Sequence, residues 1–158
     1  SKLETKEIAM KPIIEKIPFI ARVLLGLMFV VFGLNGLLNF IPMEPPSGAA
    51  GQFMGGLAAS GYFFPLLKTT EIAVGLLLLT GFWVPLALVL LAPVTVNIFA
   101  FHLFLAPAGL PMTIIIGALQ LYLAWSYRSS FTSILTRHAK PTPIDSSQPV
   151  QRKVGVLT

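Results

Sequence analysis

Apolar residues fill four long stretches of the chain, and turn-forming residues separate them. The first stretch runs from about Ala21 to Ile41 and stops at Pro42 and the Pro45-Pro46 pair. The second runs from about Leu66 to Phe82, and Gly81 and Pro85 bracket the reversal after it. The third runs from about Leu86 to Leu105, followed by the turn Ala106–Pro111, and the fourth from about Met112 to Tyr127. A bilayer-crossing helix needs roughly 20 apolar residues at about 1.5 Å each. The pattern therefore predicts an all-α protein: a four-transmembrane-helix bundle. Between the first two spans, Ala49–Ser60 is rich in Gly and Ala and carries Phe53, Met54 and Leu57 at helical spacing. It is too short to cross and is expected to form an interfacial helix, with Gly61–Pro65 as the turn after it.

Composition strengthens this reading. Of the 158 residues, 55% are hydrophobic and 11% charged, with a mean hydropathy of +0.83. Asp, Glu, Lys and Arg are absent from the 56 residues Ile72–Tyr127 and from the 21 residues Val23–Met43. So few charges cannot cover the surface of a water-soluble domain of this size. A soluble enzyme, a nucleic-acid-binding domain and a disordered chain are excluded. The chain has no cysteine, which excludes disulfides, dithiol redox relays, thiolate metal sites and covalently attached c-type haem.

The net charge of +5 reads as membrane topology, because the basic residues flank the spans. Lys2, Lys6, Lys11, Lys16 and Arg22 precede or open the first span; Arg128, Arg137 and Lys140 follow the last; Lys68 stands alone on the opposite face. Both termini are expected to be cytoplasmic, in a bacterial inner membrane. Trp83, Trp125 and Tyr127 mark the inner interface, and Tyr62, Phe63 and Phe64 the outer one. Residues 1–17 carry charges of both signs and no cleavage site, and read as an interfacial arm rather than a secretory leader. Ser1 fits removal of an initiator methionine. Residues 18–131 form the transmembrane domain. Residues 132–158, polar and containing Pro141, Pro143 and Pro149, are expected to form an extended cytoplasmic tail that becomes ordered only against a partner surface.

Polar groups inside spans are costly, and each calls for an explanation. Asn35, Glu71, Asn97 and His102 lie roughly 9, 8, 12 and 5 Å from the outer ends of their spans, at about 1.5 Å per residue. The inner half holds only Gln120. Glu71 follows Lys68 by three residues, which lets the two side chains meet on one helix face. Two roles fit this carboxylate. It either handles a proton or anchors a ligand, or it ties Lys68, Asn35 and Asn97 into a lock across three helices. His102 can ligate a haem or chlorophyll metal, hold a quinone oxygen, or bond a loop carbonyl at the interface. Asn97 and His102 are five residues apart, about 140° around a helix, so they need not face one ligand. Gly26, Gly33, Gly36, Gly75 and Gly117 suit close helix packing, and Pro93 frees the carbonyl of Val89 within its span. No metal cluster, phosphate loop or nucleophilic triad is present, and no catalytic residue is assigned beyond the proton-handling candidate Glu71.

Several motifs occur in the order seen in one family. They are Arg22-Val-Leu-Leu-Gly-Leu-Met-Phe-Val-Val-Phe-Gly-Leu-Asn35, Gly61-Tyr-Phe-Phe-Pro65, and Thr70-Glu-Ile-Ala-Val-Gly-Leu-Leu-Leu-Leu79. Val84–Asn97, His102–Pro111 and Tyr122–Arg128 complete the set. Over roughly residues 18–131 the chain resembles the DoxX family of small four-helix membrane proteins. The resemblance carries Arg22, Asn35, Glu71, Asn97 and His102 over as a site, and Lys68 joins them through its spacing from Glu71. The family takes its name from a subunit of a thiosulfate:quinone oxidoreductase, so a quinone-linked role is one implication.

Two functional expectations follow. In the first, the chain is a non-catalytic accessory subunit of a respiratory or photosynthetic membrane complex. Its partners are then other membrane subunits and lipids, not nucleic acid, with quinone, lipid, chlorophyll or carotenoid as candidate interface molecules. In the second, it is the small membrane subunit of a quinone-linked oxidoreductase. Glu71 would then accept a proton, Asn97 or His102 would hold the ring oxygen, and a partner would supply electrons.

Overall fold

A computed structural model describes residues 15–132, 134, 135 and 137. Most of the expected arm and tail lies outside the described residues. Among the described residues five helices build the domain: α1 (Ile17–Leu38), α2 (Gly48–Ala59), α3 (Phe63–Thr80), α4 (Val84–Phe104) and α5 (Leu110–Ser126). A 3-10 turn, Pro107–Gly109, leads into α5, and a single turn α6 (Arg128–Phe131) follows it. No strand occurs among the described residues. The expected all-α, four-span bundle is therefore what the chain forms, and α1, α3, α4 and the Pro107–Ser126 unit are each long and apolar enough to cross a bilayer.

Neighbouring spans run antiparallel around a closed square: α1 on α3, α3 on α4, α4 on α5 and α5 back on α1, with the α1–α3 contact the most extensive. The buried positions explain this arrangement. They recur at steps of three and four: Glu71, Val74 and Leu78 on α3; Val84, Leu88, Leu91 and Thr95 on α4; Thr113, Ile116, Gln120 and Leu123 on α5. That near-3.5 period is the packing pattern of left-handed helix bundles. Ala21, Leu25 and Phe29 of α1 close the apolar core.

The exterior decides the solvent. Only 22–28% of each span's best apolar window is buried, yet the outward positions are also Leu, Ile, Val and Phe. A surface as greasy as the core is stable against lipid tails and not against water. Sequence periodicity could not have found the core, because the apolar stripe continues around every helix.

Helix ends depart from the expected bounds for local reasons. α1 starts at Ile17, four residues earlier than Ala21, because Pro18 supplies the preset φ favoured in a first helical turn. It ends at Leu38, because Asn39 adopts a left-handed conformation (φ 51°). The α3–α4 reversal uses left-handed Gly81 (φ 79°) and Trp83 (φ 50°). Gly suits the first; the second places a bulky side chain, 72% exposed, at the end of the bundle where α1 begins and α5 ends. α4 continues through Pro93. At the opposite end, α2 contacts α3, and its Phe53 ring lies 5.9 Å from Phe101 of α4.

Candidate functional site

Lys68 and Glu71 form the ion pair that their spacing predicts. Lys68 Nζ donates to Glu71 Oε2 at 2.8 Å; the Glu71 side chain is 3% exposed and that of Lys68 20%. Glycine on the facing helix makes the pair possible. The aliphatic stem of Lys68 crosses Gly36 of α1, where a Cβ would lie 2.5 Å from Lys68 Cε. One turn away, a Cβ at Gly33 would lie 2.7 Å from Ile72 Cγ1. The stem thus runs along α1 while the ammonium reaches back to the buried carboxylate, a placement in which the lysine covers apolar surface and neutralises a core charge at once.

Asn35 is buried but turns to its own chain rather than to Glu71. Its Oδ1 accepts from the Ile41 N–H at 2.6 Å, and its Nδ2 donates to the Ile41 carbonyl at 3.3 Å and to Met43 Sδ at 3.5 Å. The side chain thereby satisfies both backbone groups of a residue beyond the helix end and fixes the exit of α1. Asn35→Ala is expected to cost about 1–3 kcal/mol through the backbone groups left unpaired. Thermal unfolding in detergent checks it; a change below about 0.5 kcal/mol would mean water replaces the amide freely.

His102 sits where α4 meets the 3-10 turn. Its Nδ1 lies 3.0 Å from the Ala106 carbonyl, its ring packs directly on Gly109, and Phe101 meets it edge-on at 5.2 Å. A carbonyl only accepts, so this bond needs a proton on Nδ1 and leaves the Nε2 lone pair for a donor or a metal. A side chain at Gly109 would displace the imidazole, so the glycine and the histidine form one fitted corner.

Arg22 and Asn97 lie apart from this half of the bundle or face away from it. The Arg22 guanidinium lies against Gly81, at the carboxyl end of α3 where the helix dipole is negative, with its Cζ 5.3 Å from the Phe19 ring centre. Gly81 is ten residues beyond Glu71, about 15 Å along α3. Arg22 Nε is buried and unpartnered among the described residues. Asn97 is exposed on the outer side of α4, and its Nδ2 donates to the Pro93 carbonyl one turn back at 2.9 Å. The lock expected between Glu71, Asn35 and Asn97 therefore reduces to the pair Lys68–Glu71, because the amides have nearer backbone partners.

Other polar groups line the core. Gln120 Nε2 donates to the Leu88 carbonyl at 3.1 Å and ties α5 to α4. Two threonines that sequence reasoning passed over, Thr95 and Thr113, are 8% and 1% exposed. Stepping seven residues from Leu88 on α4 and back seven from Gln120 on the antiparallel α5 places these two hydroxyl residues at one height. The signal was their place in the three–four pattern, visible once the inward face is known. Thr113 Oγ1 donates to the Gly109 carbonyl at 3.0 Å. A shallow groove of about 430 Å³ opens at the other end, lined by Trp83, Pro85, Leu86, Val89, Ser130 and Ile134. It is apolar and holds none of the six candidate residues. No cluster of three metal-binding side chains occurs among the described residues.

Four apolar helices in an antiparallel square, greasy outside and pinned inside by an ion pair and amide–carbonyl bonds, define an integral membrane protein of the small four-helix type. The chain belongs to the DoxX family, whose model matches residues 17–105. That match spans α1 to α4 and stops before α5. No curated protein and no solved structure matches the chain.

Proposed function

We infer that the chain is a non-catalytic membrane subunit that packs against other membrane proteins and their lipids in a larger bioenergetic assembly, with both termini on the cytoplasmic side of a bacterial inner membrane. The observation that carries this reading is how the polar groups inside the spans are used. Asn35 holds a helix exit, Lys68 and Glu71 neutralise each other, His102 bonds the turn that follows it, and Gln120 joins two helices. Each serves the bundle, and together they keep rigid a body whose outer surface is almost wholly apolar. The quinone link that the family name implies supports the bioenergetic setting.

Gentle solubilisation of native membranes, followed by native electrophoresis and mass spectrometry, tests the proposal. The chain is expected in a particle far above its own 17.1 kDa, with other membrane subunits in fixed proportion. Migration as a lone small protein would overturn it.

One arrangement favours a second reading, a quinone-linked subunit. A carboxylate–ammonium pair and an imidazole whose Nε2 has no partner among the described residues both lie in the half of the bundle away from the start of α1 and the end of α5. On that reading Glu71→Gln, which keeps shape and removes the charge, lowers quinol turnover of the parent assembly at least tenfold. Unchanged turnover would leave the packing role alone.

A further inference from the structure

α4 carries two seams. The inward one, Val84, Leu88, Leu91 and Thr95, is buried in the bundle. Two residues on, or 200° around the helix, a second series runs Leu86, Leu90, Pro93, Asn97, Ala100 and Phe104. Its steps are four, three, four, three and four, the spacing of core positions in a coiled coil. Leu86 lines the end groove beside Ser130 and Ile134, and the described chain leaves the rest of the seam largely uncovered. Leu86, Leu90 and Phe104 are 48%, 44% and 77% exposed, Pro93 and Asn97 are exposed, and Ala100 is half-buried.

Asn97 makes this seam specific. It lies roughly 12 Å inside the span, beyond the reach of headgroups. Among the described residues its amide has one hydrogen bond, to its own helix, made by Nδ2. An amide facing hydrocarbon is costly, and a facing helix that offers both a donor and an acceptor relieves it. Copies of one chain insert with the same orientation. Two α4 helices related by a two-fold axis along the membrane normal therefore run parallel and present Asn97 at identical depth. Each amide then donates to the other's carbonyl oxygen. A single asparagine at such a core position is a known device for setting register and favouring a pair in parallel coiled coils. The isologous contact closes, so it stops at two copies.

We propose that the outward seam of α4 is a homodimer interface in which Asn97 pairs with Asn97 of a second copy. The proposal rests on the packing-subunit reading and names one partner for it. A different transmembrane protein on the same face is the competing occupant.

The absence of native cysteine makes the test direct. Single-cysteine variants Leu86→Cys and Leu90→Cys probe the seam. Leu76→Cys on α3 and Leu121→Cys on α5, 49% and 74% exposed in the parent residues, probe other outward faces. A short bis-maleimide is applied to membranes containing the full chain. Covalent dimers are expected at positions 86 and 90 in at least fivefold excess over 76 and 121. Adding Asn97→Leu to Leu90→Cys is expected to lower dimer yield at least threefold, and Asn97→Gln to restore part of it, with unchanged thermal stability confirming that the variants fold. Equal yields on all faces, or no response to Asn97→Leu, would overturn the proposal. Cross-linking from position 90 to a different protein would overturn the second copy and leave the packing role standing. Neither dimers nor partner adducts, in a chain that also migrates alone, would overturn both.

Discussion

Lys68→Met is expected to destabilise the protein in detergent by about 3 kcal/mol, read as a shift in its unfolding midpoint. Removing one member of a buried pair leaves the other charge uncompensated, which typically costs 3–5 kcal/mol. The lower figure applies because Lys68 keeps 20% of its side chain exposed and the pair is screened in part. The reverse change is milder. Glu71→Gln leaves an ammonium on a flexible stem that can turn toward the membrane surface, so about 1 kcal/mol is expected. The double variant Lys68→Met/Glu71→Leu is expected to recover most of the loss, since an apolar pair of similar volume removes both desolvation costs. The double-mutant cycle decides the role of the pair. If Lys68→Met and the double variant were equally destabilised, the lysine would act through its stem on Gly36 and not through its charge.

How much of this could be read from the chain differs between fold and site. The spans were legible because hydrocarbon thickness sets a minimum length and the charge-free runs meet it. The buried face was not legible, because helices surrounded by lipid need no polar side and the usual amphipathic signal is missing. Lys68–Glu71 was legible, since a three-residue spacing on a helix fixes the contact without knowledge of tertiary structure. Asn35 and Asn97 were not. Their depth suggested convergence on Glu71, but depth says nothing about direction around the helix. A short amide side chain is also offered backbone carbonyls and N–H groups nearby before it can reach another helix. Asn35 took those of Ile41 and Asn97 that of Pro93. For His102, Gly109 closes the turn against the ring, a contact that depends on the 3-10 geometry after α4.

The five span glycines looked alike in sequence, and the structure predicts that they will behave differently. Gly75→Ala is expected to cost about 2–3 kcal/mol or more. A Cβ there would lie 2.9 Å from the Gly26 carbonyl oxygen and 2.9 Å from the Val30 nitrogen, and backbone cannot step aside as a side chain can. The added methyl must separate α1 from α3 along their whole contact, the most extensive in the bundle. Gly36→Ala meets the Lys68 stem first, which can move, so its effect should be smaller and should appear chiefly as a weakened Lys68–Glu71 pair. Gly117→Ala meets nothing within 4 Å. There the gain in helix propensity, about 1 kcal/mol in favour of alanine, is free to show as a higher midpoint. Thermal unfolding of the three variants in one detergent ranks them. The order Gly75 worst, Gly36 intermediate and Gly117 neutral or better follows from where the α1 and α3 backbones touch; equal losses at Gly75 and Gly117 would mean that α1 and α3 do not meet through Gly75.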